Sequence, residues 1–400
     1  MVNIFQYLTS QADNSLIGQL ISFVLLILLF SFYSRIMVQQ TIMKLEQSAS
    51  ELDRMVLKAE NEVVKKLKNV DKKTRRSIKR FLEFFALPPV DLDPYGIVKK
   101  YDHIMRLEKD RFNYFVSQIA PEADSEERAN IAMGLAGAIE LNAIRKFVRH
   151  YVELIKKTKS INLVFIIQTL LPFIERVAKS LLKGTEALTN GWPIGDGIGP
   201  YVAASMIGDA KVVEADEETV VARKKYKNRD LIIIKAKGPG GRTGNPGKVL
   251  ERIAEKEKIA KIITIDAAAK LEGERTGDVA EGVGVAMGGI GVERYEIEEV
   301  AVKHNIPLDS IIVKMSQEEA IMPMHKDVLN AVQEVMELVD EAIERTKGKG
   351  KIVIIGVGNT CGIGNGGDLK KTEELIKENI KKMEAEEKAK RKKFKIPLFE

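Results

Sequence analysis

"DLIIIKAKGPGGRTGNPGKVLERI", residues 230–253, joins an apolar β-branched run to a glycine-rich loop and then to a helix-like pattern. The run Leu231–Ile234 lacks polar alternation, the texture of a strand buried on both faces. Asn245 suits a helix N-cap and Pro246 a first helical position. "KIVIIGVGNTCGIGN" (351–365) repeats the order of apolar run, glycines and Gly-Asn. Further runs, "KIITID", "GVGVAM" and "SIIVKM", alternate with helical stretches at Glu293–Lys303 and Lys326–Arg345. "KVVEADEETVVARKKY" (211–226) reads as a hairpin turning at its acidic centre. The alternation predicts an α/β domain over 209–367, with a mostly parallel sheet covered by helices.

Upstream the texture differs. Leu16–Tyr33, "LIGQLISFVLLILLFSFY", is uncharged, and as a helix it spans about 27 Å, near the thickness of a bilayer core. It lacks the basic flank and small-residue cleavage site of a signal peptide. Arg35, Lys44, Arg54 and the run Lys65–Arg80 all follow it, while Asp13 is the charged side chain before it. The positive-inside rule therefore predicts a single-pass membrane protein, with residues 1–15 an extracytoplasmic tail, 16–36 the transmembrane helix and the C-terminal bulk cytoplasmic.

Val38, Ile42, Leu45, Ala49, Leu52, Val56, Ala59 and Val63 alternate spacings of four and three, a heptad seam in a basic amphipathic helix over 37–85. The seam either pairs with a second copy or packs on its own chain. "FALPPVDLDP" (85–94) then breaks the helix, and residues 86–208 read as an all-α middle domain with a capping box at Ser125. Ile161–Ile174 is apolar but short and carries Asn162, Gln168 and Pro172, so it reads as a core helix. Residues 368–400 form a basic C-terminal helix or tail. A single cysteine, Cys361, excludes an internal disulfide and a cysteine-built zinc site.

Two loops and one strand end are the candidate chemistry. "GPGGRTGNPGK" (238–248) is no Walker A loop, because Arg242 stands where the first glycine belongs and Val249 where a hydroxyl is needed. Gly240, Gly241, Arg242, Thr243 and Lys248, beside a helix N-terminus, nonetheless suit an anionic ligand. Gly358 and Asn359 belong to the second loop, and ligands in open α/β sheets bind beyond the carboxyl ends of the strands, so the two loops can share one crevice. Asp266 closes a strand and is followed by Glu272, Glu274, Asp278 and Glu281; it is the candidate catalytic base or ligand of a divalent metal. Cys361 with His325 is a remoter nucleophile–base pair. "PIGDGIGPYVAASMIG" (193–208) reads as a domain linker that can line the same crevice.

Together, the N-terminal span, the basic linker, "PIGDGIGP", "GPGGRTGNPGK", "GGIGVERYEIEEVA" and "GVGNTCGIGN" resemble a family of archaeal single-span membrane proteins classed as a domain of unknown function. That resemblance covers nearly the whole chain and implies membrane location, with no activity attached. "VIIGVGN" and "IITIDAA" are similar to fragments of the hydrogenase-maturation and spore-germination peptidases, in reversed order and without an identifiable later metal-binding histidine.

Two functions follow as expectations. In the first, the α/β domain binds a phosphate- or carboxylate-bearing ligand and, if it is an enzyme, is a hydrolase. In the second, the chain is a membrane scaffold that forms homo-oligomers through its coiled coil. Its basic segments Lys65–Arg80 and Lys388–Lys395 would then hold anionic lipid, RNA or the ribosome. A membrane anchor disfavours DNA as a partner.

Overall fold

The computed structural model describes residues 16–68, 70–89, 96–286, 291–367 and 369–394. The predicted extracytoplasmic tail, the Asp93–Pro94 helix stop and the last residues of the basic tail lie outside them. The chain forms two compact units: residues 1–54 with 143–176, and residues 55–142 with 177–400.

Helix α1 (Leu16–Lys65) begins in the first unit. Its apolar run is exposed along its length, with Phe30 71% and Phe32 67% accessible. The first unit also holds the end of α4 (Ser125–Thr158) and the start of α5 (Ile161–Asn190). Leu45 and Ala49 of α1, Val152 and Ile155 of α4, and Val164 and Ile167 of α5 are buried there. Arg149 bridges Glu46 and Asp53 at 2.9 and 2.7 Å. The heptad positions from Leu45 to Val63 are thus buried within the chain's own fold. Ile161–Ile174 was expected in a core. Instead Phe165, Ile166, Leu170 and Phe173 are 43–53% exposed, and only Val164 and Ile167 of the stretch are fully buried. Among the described residues, α1 and α5 are the two helices long and apolar enough to cross a membrane.

In the second unit, α2 (Lys72–Phe81) and α3 (Ile97–Ile119) pack Ile78, Phe112, Val116 and Ile119 against Val63 of α1 and Ile131 and Leu135 of α4. Helix α4 is capped one residue earlier than expected. The Asp124 carboxylate accepts from the N–H groups of Glu126 and Glu127, both at 2.8 Å, in place of Ser125.

The sheet has seven strands: β1 (Val212–Glu214), β2 (Thr219–Tyr226), β3 (Arg229–Ala236), β4 (Ile259–Ala269), β5 (Val279–Val283), β6 (Leu308–Met315) and β7 (Lys351–Gly356), in the order β1-β2-β3-β7-β4-β6-β5. The central four, β3, β7, β4 and β6, are parallel. The β1–β2–β3 meander and β5 are antiparallel additions at the two edges. The expected hairpin at 211–226 is β1–β2. The expected strand "GVGVAM" is displaced: β5 ends at Val283, and Gly284 follows at φ +98°.

Both sheet faces are covered, which explains the unbroken apolar runs. Leu231 and Ile233 of β3 join one core with Ile263, Ile265, Ile352 and Ile354, under α6 (Ile198–Ile207), α10 (Lys326–Asn330), α11 (Val332–Glu344) and the start of α12 (Lys370–Phe394). Ile232 and Ile234 join the other, under α7 (Pro246–Ala254) and α8 (Val292–Lys303). A short α9 (Gln317–Ile321) precedes α10. Pro193–Gly208 is therefore more than a linker. Helix α6 is apolar around its circumference and buried, as such a helix must be.

Candidate functional site

Strand β3 leads to α7 on one face, and β7 leads to α12 on the other, so a topological switch point lies between these neighbours. There the two glycine-rich loops meet, but they close on each other. The Thr360 hydroxyl lies 2.8 Å from the Gly240 carbonyl, and its N–H donates to the Arg242 carbonyl at 3.0 Å. Asn365 accepts from the Gly238 N–H at 2.7 Å and donates to the Gly238 carbonyl at 2.8 Å. Gly238 has no room for a side chain, because a Cβ there would overlap the Ile363 carbonyl.

The first loop does hold an anion, and that anion belongs to the chain. The Gly240 N–H donates to the Glu126 carboxylate at 2.6 Å, and Arg242 pairs with the same oxygen at 2.5 Å. Arg242 also donates to the Ser125 carbonyl and hydroxyl at 3.0 and 2.8 Å, while the Gly241 N–H donates to Asn130 at 2.8 Å. Gly240, Gly241 and Arg242 were expected to face an external anion. They are instead engaged by the first two turns of α4, and Arg242 is only 7% exposed.

Thr243 and Lys248 border a cavity of about 720 Å³ between α3, the start of α4, the β1–β2 turn and the N-termini of α7 and α8. Its floor is apolar, with Met105, Phe112, Val116 and Met133. Most of its cations are held by carboxylates, Lys248 by Asp102 at 2.8 Å, Lys237 by Glu214 at 2.6 Å, and Lys109 by Glu218, while Arg128 donates to the Pro121 carbonyl at 2.6 Å and its Nε is buried without a partner. Burial pushes Glu108, Glu293 and Glu296 above the usual carboxylate range, with nearby Lys248 pulling Glu293 and Glu296 partly back.

Asp266 lies elsewhere, near the carboxyl end of β4, and it has a partner that sequence reasoning passed over. The first turn of α6, just after the turn Gly195–Gly197, crosses the ends of β4 and β7 so closely that a Cβ on Gly199 would overlap the carbonyls of Ile265 and Val357. This places Asp196 beside the second loop, where its carboxylate accepts from the Asn359 N–H at 2.8 Å. Gly358, at φ +126°, leaves the space, since a Cβ there would overlap the Asp196 carbonyl and lie 3.3 Å from its Oδ2.

Asp266 is 3% exposed. Its Oδ1 accepts from the Ala267 N–H at 2.7 Å, and its Oδ2 is buried without a hydrogen-bond partner. Burial drives its carboxyl well above the carboxylate range, and the neighbouring Asp196 charge adds to the push. Asp196 is raised too, by burial, against the pull of the Asn359 N–H, and it keeps a partly exposed surface. Lys235, at the end of β3, is a second buried charge. Its ammonium donates to the Ala236 carbonyl at 2.8 Å and to Asn365 at 3.2 Å, and burial lowers its pKa to about 7, with Glu126 pulling back.

Asp266, Gly358 and Asn359 therefore converge through Asp196. Gly240, Gly241 and Arg242 converge on Glu126, and Thr243 and Lys248 on the cavity. The Asn359 side chain serves its own turn, accepting from the Cys361 N–H at 2.9 Å. Cys361 is no nucleophile: it is fully buried, burial pushes its thiol up to about 12, and His325 is occupied as the N-cap of α10. The acidic loop is dispersed as well. Glu274 pairs with Lys314 and Glu281 with Arg345. Among the described residues, no three His, Cys, Asp or Glu side chains gather as metal ligands.

No curated protein and no solved structure matches the chain. Two family profiles do: residues 19–191 match the N-terminal domain of the protein of unknown function DUF1512, and residues 194–364 match its C-terminal domain. The junction between them falls at Trp192–Pro193, just before the turn that carries Asp196. With both halves present in order, the chain belongs to the DUF1512 family.

Proposed function

We propose that the chain is a membrane-anchored hydrolase whose acid–base centre is the Asp196–Asp266 pair. The observation that carries this reading is the buried, unpartnered Oδ2 of Asp266 beside a second carboxyl, at the carboxyl ends of two central parallel strands. Such a group is costly to fold around, and paired carboxyls pushed apart in acidity are the device by which proteins run acid and base steps together.

The roles differ from those expected of Asp266 alone. Asp266, the more deeply buried, retains its proton. Asp196, stabilised by the Asn359 N–H and partly exposed, ionises first and takes a proton from water. The water oxygen attacks the substrate's electrophilic centre while Asp266 gives its proton to the leaving group. The uncharged run Leu16–Tyr33 supplies the anchor. The test is hydrolysis of a panel of ester, amide, phosphoester and glycoside substrates by the full chain and by Asp196→Asn and Asp266→Asn. Turnover abolished in both variants supports the centre. Turnover retained in either one removes that residue from it.

A second site reading rests on the cavity. Three carboxyls raised by burial, with the wall lysines already paired, favour a ligand bearing a cationic group above an apolar body, in place of the anionic ligand expected of the loop. Calorimetric titration with a linear polyamine tests it: binding that weakens in Glu293→Gln/Glu296→Gln supports the reading, and no binding ends it.

A further inference from the structure

The first half of α5 leaves a chemical question that the hydrolytic centre does not answer. Phe165, Ile166, Leu170 and Phe173 form one exposed face of a stretch with no charge from Ile161 to Ile174. At its N-terminal end the α4–α5 turn carries exposed Lys156, Lys157 and Lys159, with Lys159 at φ +51° closing the turn. Apolar side chains next to a cluster of lysines fit the boundary of an anionic bilayer, where rings and ammonium groups both sit in the headgroup layer.

The register of the first unit puts this face at the right height. Pairing of Glu46 with Arg149 and Lys156, and of Asp53 with Arg145 and Arg149, makes α1 antiparallel to α4. Helix α5 reverses again after Lys159, so it runs in the direction of α1. Ser48 of α1 and Glu175 of α5 are hydrogen-bonded at 2.5 Å, which fixes their offset. Counting back equally from both, at the common rise of an α-helix, brings Ile161 level with Ser34 at the end of the apolar run. Phe165 and Ile166 are then about 6–8 Å beyond it, within the headgroup layer that adds some 5–7 Å to each side of the hydrocarbon core.

We infer that the tip of the α4–α5 hairpin is a second membrane contact, docking on anionic phospholipid through Lys157 and Lys159 while Phe165 and Ile166 enter the interface. The inference rests on the membrane-anchor reading of Leu16–Tyr33. It gives the first unit a fixed orientation on the bilayer in place of a free swivel about one helix.

Thiol accessibility of the full chain in liposomes tests it, because the native Cys361 is fully buried and unreactive. Leu26→Cys, Ile166→Cys and the exposed Lys225→Cys are each treated with a water-soluble maleimide, in phosphatidylcholine vesicles with and without phosphatidylglycerol. The inference expects Leu26→Cys protected in both, Lys225→Cys labelled in both, and Ile166→Cys protected only with the anionic lipid. Adding Lys157→Gln/Lys159→Gln should weaken the docking equilibrium constant by about thirtyfold, the factor represented by two lysines at about 1 kcal/mol each. Labelling of Ile166→Cys at the Lys225→Cys rate, with Leu26→Cys still protected, overturns the docking and leaves the anchor standing. Labelling of Leu26→Cys as well overturns both. Protection that ignores lipid charge and grows with protein density assigns the face to a second copy of the chain and overturns the lipid contact.

Discussion

Lys235→Met isolates the cost of one buried charge. Lys235 is fully buried at the end of β3, and its pKa falls from an ordinary 10.5 to about 7. Between those values the unfolded chain carries a proton on this lysine that the folded chain lacks. Stability therefore rises with pH across that window, with the full cost present below it and none above it. At about 1.4 kcal/mol per pH unit, linkage sets the cost of Lys235 at ~4 kcal/mol at pH 7 and ~1 kcal/mol at pH 10. Methionine keeps the aliphatic bulk and does not titrate.

Loss of the bonds to the Ala236 carbonyl and Asn365 adds an offset that does not vary with pH, and Asn365 remains bonded to Gly238. Every other titrating group is common to both proteins. The assay is urea unfolding followed by the fluorescence of the single Trp192, in the same unit, from pH 7 to pH 10. The stability of the variant relative to the parent should fall by ~3 kcal/mol over that range. A difference that stays constant with pH would mean that Lys235 titrates normally, and the reasoning about its burial would be wrong.

Other perturbations address the loops and the acid pair. Glu126→Gln leaves Arg242 buried without its counter-charge, and should cost about 3 kcal/mol in urea unfolding, near the lower end for a broken buried pair, since Glu126 is partly exposed. Gly358→Ala forces a side chain into φ +126° and against Asp196. It should cost about 1–3 kcal/mol and lower turnover together with stability, read by thermal melting and initial rates. Asp266→Asn should stabilise. A carboxyl whose folded pKa is raised contributes stability below the ordinary value near 3.8 that is lost as pH rises through the folded value, so the gain over the parent should be larger at pH 8 than at pH 4. Equal gains at the two pH values would contradict a raised Asp266.

The parallel centre of the sheet was legible because β3, β4 and β7 are apolar without alternation, which only a doubly covered strand sustains. The edges were less so. Gly282 and Gly284 fell inside an apolar-looking run, and pairing with β6 selected Val279–Val283 in its place. Asp266 was legible as a polar residue near a strand end, and Gly358–Asn359 as part of a loop at the strand ends sharing a crevice with the first loop. Asp196 was not, because "GDGIGP" reads equally as a hinge. Only the fold shows that Gly199 seats it between the ends of β4 and β7. Lys235 carried a clue, a lone lysine after four apolar residues, which favoured the end of a strand over its interior. Glu126 carried none. It sits among charged residues at a helix start, and its role depends on a loop more than a hundred residues away.

Infrared difference spectroscopy of the parent against Asp266→Asn at pH 7 tests the protonated Asp266 of the carboxyl pair most directly, with no substrate required. The account predicts a protonated-carboxyl stretch in the parent that is missing from the variant and fades as pH is raised. A parent spectrum showing only ionised carboxylates at pH 7 would contradict it.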